Sequence, residues 1–419
     1  MTRFPILALA LRSIANRRAT AILTVLTVAI TMTLFLGVEK VRHGARASFE
    51  NTITGTDLIV GARSSPVNLL LYSIFHIGDA TNNITWETYE AVAGAPNVAW
   101  TVPISLGDSH AGYRVVGTDN RFFEHYRHGD RRNLAFTEGG ALGDLFDTVL
   151  GAAVARDLGY ELGEEIIVAH GTGRVSFVEH DNNPFEIVGI LAPTGTPVDR
   201  SVFVSLEAIE AIHLEGPTGA GTNLSATELR QMDLQPDQIT AFLVGLTSPT
   251  AALRLQRQVN TYPEEALQGI IPGVALAQLW QVVGAAERTL AAVAAFVVLT
   301  GLICILTAIL TSLNERRREM AILRALGARP HHIFALLVSE AALLAFFGAV
   351  LGTALTYGAL LAGAPILEQR FGIFLIGMTP GLYDLALIGA VTLAAAVLGL
   401  FPAWRAFRNS LADGMTIRV

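Results

Sequence analysis

The side chains able to do chemistry in this chain exclude most of it by their types and spacing. A phosphate-binding P-loop needs a lysine after its Gly-rich turn. The 419 residues contain a single lysine, Lys40, in the run GVEK, and the Gly-containing run HGTGR from His170 to Arg174 has none. Nucleotide hydrolysis is therefore expected of another polypeptide, and no nucleophile elbow, HExxH or CxxC pattern suggests any other enzymatic activity. His76, His110, His125, His128, His170 and His180 offer imidazole nitrogens, and His125 and His128 have i,i+3 spacing. Scattered histidines are more often solvated or packed than ligating, so no metal site is expected. The one cysteine, Cys304, lies in an apolar run, which rules out an intrachain disulfide. Glu340 sits among apolar residues, where it marks either an ion path or an interface near basic groups.

The chemistry that remains is electrostatic. Arg316, Arg317, Arg318, Arg324 and Arg329 cluster between two uncharged runs, Leu290 to Leu313 and Ala341 to Leu367. At about 1.5 Å per residue each run exceeds the roughly 30 Å of a bilayer core. Short cytoplasmic loops collect arginine, so this segment is expected on the cytoplasmic side. Within it Met320, Leu323 and Leu326 recur at helical spacing, Gly327 suits a C-cap, and Pro330 blocks continuation. A short surface helix over residues 315–326, tied to a membrane helix at each end, is the prediction.

Three further stretches complete the membrane part. Ala19 to Val38 is uncharged and too long for a signal-peptide core of about 7–15 residues, so it reads as a retained membrane helix. Before it, Phe4, Leu7, Leu11 and Ile14 space out a short interfacial helix with Arg3, Arg12, Arg17 and Arg18. The third membrane helix is expected over Ile333 to Leu361, with Gly348 and Gly352 forming a GxxxG contact, and the fourth over Leu382 to Phe401. Arg405, Arg408 and Arg418 return the C-terminus to the cytoplasm, so both ends are expected inside.

Charge separates what is left. From His43 to Gly284 there are 28 acidic and 13 basic residues, whereas the remainder has 8 acidic and 16 basic. An acidic ectodomain is thus inserted into a basic membrane part of a chain with 52% hydrophobic residues. Val38, Val41, Ala45 and Phe49 at one end, and Leu276, Leu279, Trp280 and Val283 at the other, form helical stripes that read as a stalk or as interfacial segments. Between them, strands are expected over Asp57–Val60, Tyr113–Val116, Glu165–Ala169, Arg174–Val178, Phe185–Leu191 and Ile239–Leu246. Helices are expected over Trp86–Ala93, Leu206–His213 and Pro249–Val259, and a loop over Glu215–Thr227. The segment Asp57 to Ile84 carries apolar Leu69, Leu70, Leu71, Ile74 and Phe75 between polar flanks. It is either a buried helix or an exposed contact for a lipid, peptide or partner through Leu70, Leu71, Ile74, Phe75 and His76.

The run ERRREMAILRALGARPHHI from Glu315 to Ile333, followed by SEAALL and the GxxxG pair, resembles the coupling-helix region of FtsX/MacB-like ABC transporter permeases. FPAWRAFRNSLADGM, from Phe401, resembles the closing signature of that family. VVGTDNRFF, LGAAVARDLGYELGEEI and FEIVGILAPTGTPVDRSVFV are similar, more weakly, to the MacB-type periplasmic core domain. The resemblance implies four membrane helices with an inserted α/β ectodomain of two small lobes on a helical stalk. It divides the chain into residues 1–50, an ectodomain over 51–273, and a permease part over 274–419. It further implies that Glu315, Arg316, Arg317, Glu319, Met320, Leu323, Arg324, Leu326 and Gly327 face a separate ATPase, present in two copies and carrying the ATP and Mg, while this chain binds no cofactor. A homodimer in a bacterial inner membrane is implied, with the ectodomain outside and an adaptor, lipoprotein or substrate-binding protein as a further partner; nucleic acid is not. The function so implied is to pass ATP-driven change to the ectodomain for export, extraction or partner activation. A membrane-anchored ligand or metal sensor, working without an ATPase, is the alternative reading.

Overall fold

The computed structural model describes residues 5–52, 54–171, 183–214, 225–315, 322, 324–325, 327–371 and 379–408. The chain forms two compact units, one of residues 1–44, 285–367 and 375–419, the other of residues 45–284 and 368–374.

The first unit is helical. A short helix α1 (Pro5–Asn16) precedes α2 (Arg18–Thr52), and α10 (Pro272–Glu315), α11 (Pro330–Phe371) and α12 (Leu382–Arg408) follow the inserted domain. Among the described residues four helices are long and apolar enough to cross a membrane. Each outruns its predicted span, because polar residues at the ends continue the helix past the apolar run. In α10 the stalk stripe and the membrane segment are one helix of 44 residues. Pro330, expected as a stop, is also the first residue of α11, where its fixed φ suits helix entry and its missing N–H costs nothing.

The second unit is α/β. Its strands are β1 (Leu58–Ala62), β2 (Ile84–Thr85), β3 (Val98–His110), β4 (Tyr113–Thr118), β5 (Arg127–His128), β6 (Arg132–Asn133), β7 (Phe136–Gly139) and β8 (Asp147–Leu150). They continue as β9 (Glu165–Ile166), β10 (Ala169–His170), β11 (Phe185–Leu191), β12 (Ser201–Ser205), β13 (Gln238–Ile239), β14 (Ala241–Leu246) and β15 (Leu267–Ile270). The main sheet runs β15-β1-β14-β3-β4-β12-β8-β11-β7, with β10 on β3 and β9 on β11. The two lobes meet within one strand. Residues 98–104 of β3 pair with β14, and residues 105–110 pair with β4.

Alternation along the strands feeds a core on each face. Ile59, Leu243, Val116, Phe203 and Val149 enter one cluster, where α3 (Pro66–Phe75), α5 (Arg121–His125) and the start of α10 cover the sheet. On the opposite face Val115, Val202, Val204 and Leu150 pack under α6 (Ala152–Leu158) and α7 (Leu206–Leu214). Leu58, Val60, Phe242 and Val244 pack there under α4 (Trp86–Ala93) and α9 (Ala252–Asn260). Burial on both faces explains why β14 reads as a near-continuous apolar run.

Several sequence expectations need correction. The stretch Glu165–Ala169 splits into β9 and β10, and Pro249–Val259 splits into a 3-10 turn, Pro249–Ala251, and α9. The expected loop from Glu215 overlaps α8 (Ala226–Leu229), which Ser225 and Glu228 start with a reciprocal capping box. The strand expected at Arg174–Val178 lies outside the described residues.

Candidate functional site

The basic segment is bounded by the end of α10 at Glu315 and the start of α11 at Pro330. Arg316, Arg317, Glu319, Met320, Leu323 and Leu326 lie outside the described residues. Arg324 is half-buried, and Ile322 is exposed. Gly327 has φ +94 and donates its N–H to the Arg324 carbonyl at 3.0 Å. That left-handed conformation closes a helical turn, and only glycine adopts it without strain. Beyond it the Arg329 N–H donates to His332 Nδ1 at 3.1 Å.

Deeper in the helical unit, the GxxxG pair is seated against α2. A β-carbon on Gly348 would lie 2.5 Å from Val28 Cβ, and one on Gly352 would lie 2.5 Å from the Ala29 carbonyl oxygen. The closeness lets Thr33 Oγ1 reach the Gly352 carbonyl at 3.0 Å, an interhelical hydrogen bond. Gly399 of α12 is similarly close to Ala341 of α11, with 3.0 Å between its notional β-carbon and that methyl. Glu340, beside this contact, is buried.

A polar cluster that sequence reasoning missed joins three of these helices. Lys40 Nζ of α2 lies 3.1 Å from Asp384 Oδ2 at the start of α12, and Tyr357 Oη of α11 donates to the same oxygen at 2.6 Å. The Gly381 N–H donates to it as well, at 2.8 Å. The one available signal was the solitary lysine; its partner is 344 residues away in the chain.

In the ectodomain, Leu69, Leu70, Tyr72, Ile74 and Phe75 of α3 are buried, and Leu71 packs partly against them. Of the two readings of this segment, the structure shows the buried helix: Leu70, Ile74 and Phe75, with Leu71 partly, pack in the core between the sheet and the stalk. Phe75 stacks on Phe49 of α2 with ring centroids 4.3 Å apart, and Phe49 meets Trp280 of α10 at 5.8 Å. His76 ends α3 in the left-handed region, φ 53, and its Nδ1 lies 2.8 Å from Ser201 Oγ. Burial, then the nearby Arg114 guanidinium, lower its pKa to about 3, so this imidazole is neutral. His125 lies flat on Trp100 at 4.7 Å, and His110 is held between Tyr160 and the Ile167 carbonyl. Among the described residues no group of three or more His, Cys, Asp or Glu side chains is placed to hold a metal.

The end of α2 is fastened in the same unit. Tyr126 Oη donates to the Thr52 carbonyl at 3.1 Å, the Gly129 N–H donates to the Asn51 carbonyl at 2.9 Å, and Thr54 Oγ1 donates to the Gly129 carbonyl at 3.0 Å. The Tyr126 phenol is buried, which pushes its pKa upward and keeps it a donor.

Four apolar helices with a basic segment between the second and third, and an α/β domain inserted after the first, define a multipass membrane protein with one large ectodomain. The chain belongs to the MacB-like family of ABC transporter permeases. The family model for the MacB-like periplasmic core domain matches residues 21–262, and that for the FtsX-like permease C-terminal matches residues 291–411. Among relatives, the macrolide export ATP-binding/permease protein MacB of Nitrobacter winogradskyi is 39% identical over 120 residues, 28% of this chain and 18% of that protein. The pyoverdine export ATP-binding/permease protein PvdT of Pseudomonas savastanoi pv. phaseolicola is 25% identical over 350 residues, 78% of this chain and 47% of its own length. The chain thus spans about half the length of the relatives it matches most fully. The crystal structure of the periplasmic region of MacB from Actinobacillus actinomycetemcomitans is similar over 54% of this chain and 92% of its own, at 12% identity and a TM-score of 0.33. Four apolar helices with a MacB-like periplasmic domain fit an inner-membrane protein.

Proposed function

We propose that this chain is the transmembrane part of an ABC complex and carries ATP-driven movement from the cytoplasmic face to the ectodomain. In this reading two ABC ATPase subunits bind the ATP and Mg, and they dock on Glu315, Arg316, Arg317, Glu319, Met320, Leu323, Arg324, Leu326 and Gly327 of a homodimer of this chain. Both termini are cytoplasmic and the ectodomain is periplasmic. The observation that carries the proposal is α10, 44 residues without a break and about 66 Å long at 1.5 Å per residue. Its last residue, Glu315, adjoins the arginine segment, while Ala275 and Leu276 near its start lie in the ectodomain core. A stiff rod of this kind converts a displacement at one end into one at the other. Family membership supports the ATPase, because the relatives are named as ATP-binding/permease proteins and this chain has no lysine fit for a P-loop. The work done outside is export or extraction of a substrate, or activation of an envelope partner; the export named for both relatives favours the first.

The test is isolation of the complex from native membranes. Met320→Asp or Leu323→Asp should lower the co-purified ATPase, or its ATP turnover, about tenfold or more, as loss of a central apolar anchor does at an interface. Wild-type turnover in both variants would sink the docking role. Purification with a bound ligand and no ATPase would favour the membrane-anchored sensor instead.

A further inference from the structure

The chain enters and leaves the ectodomain through α2 and α10, and the two joints are built differently. One residue, Ile271, separates β15 from α10, and its carbonyl accepts the Ala275 N–H at 3.1 Å, so strand passes directly into helix. Between the end of α2 and β1 lie residues 53–57, where Gly55 has φ +90. A short turn through glycine leaves a helix end free to fray and rotate, and the last carbonyls of a helix have no partners within it.

Here two of those carbonyls are taken by the hairpin β5–β6, which lies between α5 and β7 in the chain. The Gly129 N–H donates to the Asn51 carbonyl and Tyr126 Oη to the Thr52 carbonyl, while Thr54 Oγ1 donates back to the Gly129 carbonyl. A β-carbon on Gly55 would lie 2.9 Å from Arg127 Cγ, so the turn and the hairpin touch. The hairpin is itself anchored. Tyr126 is 4% exposed, its ring centroid is 5.0 Å from that of Phe122, and Phe122 is 4.9 Å from Phe203 of β12. β12 pairs with β4 and β8 in the second lobe, whereas α2 leads along the chain into β1 of the first. Contacts therefore run from the last turn of α2 into the lobe that does not follow it in the chain. Phe49 also packs on Phe75, but apolar contact is non-directional; hydrogen bonds to terminal carbonyls fix both the rotation and the height of a helix end. We propose that Tyr126, Thr54 and the Gly129 backbone are positioning groups that lock the end of α2 to the second lobe, so that a displacement of α2 reaches that lobe through the hairpin. This rests on the transmission role proposed above and adds where the displacement enters the ectodomain.

The experiment uses the complex isolated from native membranes, with Cys304→Ser and spin labels at two exposed positions, Glu50→Cys on α2 and Glu207→Cys on α7 of the second lobe. A pair inside that lobe, Glu161→Cys with Glu207→Cys, is the control. Labelled chains are diluted with unlabelled ones so that distances within one chain are read. In Tyr126→Phe, and in its combination with Thr54→Val, the Glu50–Glu207 distribution should broaden without nucleotide while the control pair stays as in wild type. On trapping with ATP and vanadate, the Glu50–Glu207 distance should hold constant in the wild type and shift in both variants, with ATP turnover retained. A combined variant as narrow as wild type, or one whose control pair broadens equally, would overturn the proposal. So would a wild-type shift on trapping as large as that of the variants. Where Tyr126→Phe fails to fold, Thr54→Val alone should still broaden the Glu50–Glu207 distribution, and an unchanged width there would count against the lock. Broadening without nucleotide, followed by no shift in the variants during turnover, would sink the transmission role and leave the lock standing.

Discussion

Replacing Gly352 by alanine should destabilise the helical unit although it adds one methyl group to a helix. The new β-carbon would stand 2.5 Å from the Ala29 carbonyl oxygen, 2.6 Å from Met32 Cβ and 3.1 Å from Ala29 Cα. Two of these are backbone atoms of α2, which cannot turn aside as a side-chain tip does. To restore ordinary contact the helices must separate by about 1 Å, enough to forfeit a quarter to a half of each dispersion well along the seam. Overpacking of this kind costs about 1–3 kcal/mol. The hydrogen bond from Thr33 to the Gly352 carbonyl, 3.0 Å long, would be stretched as well, a loss of about 0.6 kcal/mol between membrane helices. Working the other way, alanine gains roughly 0.8–1 kcal/mol of helix propensity over glycine. Gly358→Ala, in the same helix, isolates that gain, since beyond the helix's own neighbouring backbone no atom of the described residues lies within 4 Å of its notional β-carbon. The expected result in thermal unfolding of the full chain in lipid nanodiscs is a Gly358→Ala variant at or above wild type, with Gly352→Ala below it by about 1–3 kcal/mol. Equal melting of the two variants would refute the close seating of α11 on α2.

Three further outcomes follow from the ectodomain. His76 is held neutral by burial with its pKa lowered to about 3, so the unfolded chain binds the extra proton; its contribution to stability is present above pH 6.5 and is lost as pH falls toward 3. His76→Asn, which tolerates the left-handed backbone, should flatten the drop in melting temperature between pH 7 and pH 4.5; an unchanged drop would contradict the assignment. Tyr126→Phe removes the donor to the Thr52 carbonyl and should cost about 1–3 kcal/mol in chemical denaturation, because the carbonyl is left buried. Gly245→Ala would put a β-carbon 2.0 Å from the Trp100 ring and should destabilise the unit and red-shift tryptophan emission as the ring is displaced toward water; a wild-type spectrum would contradict the close packing of the ring on Gly245.

The membrane helices were legible because an uncharged run of sufficient length has few other uses in a chain. Their ends were not: Glu287 and Arg288 interrupt the apolar run in α10, yet helix continues through them as stalk. Strands buried on both faces announced themselves as apolar runs, Ala241–Leu246 among them. The central strand β3 did not, since Pro103, Gly107 and Asp108 carry turn chemistry and their pairing is decided by neighbours distant in sequence. Helix α3 was ambiguous for another reason. Ten residues with a hydrophobic majority fit a core helix or an exposed hook equally, and the choice depends on Phe49 and Trp280 arriving from opposite ends of the domain. The Lys40–Asp384 pair belongs to the same class of information, fixed by assembly and silent in local pattern.

The strand common to both lobes has a mechanical consequence. Domains that open around a ligand usually turn on loops between independent sheets; here the hydrogen-bonded ladder passes from β14 through β3 into β4 without a linker. Flexure between the halves must therefore bend a strand, and the irregular register between Leu106 and Ser109 is where the ladder is already interrupted. The head would twist like a leaf spring, with small angles and a restoring force, and would not clap shut like a jaw.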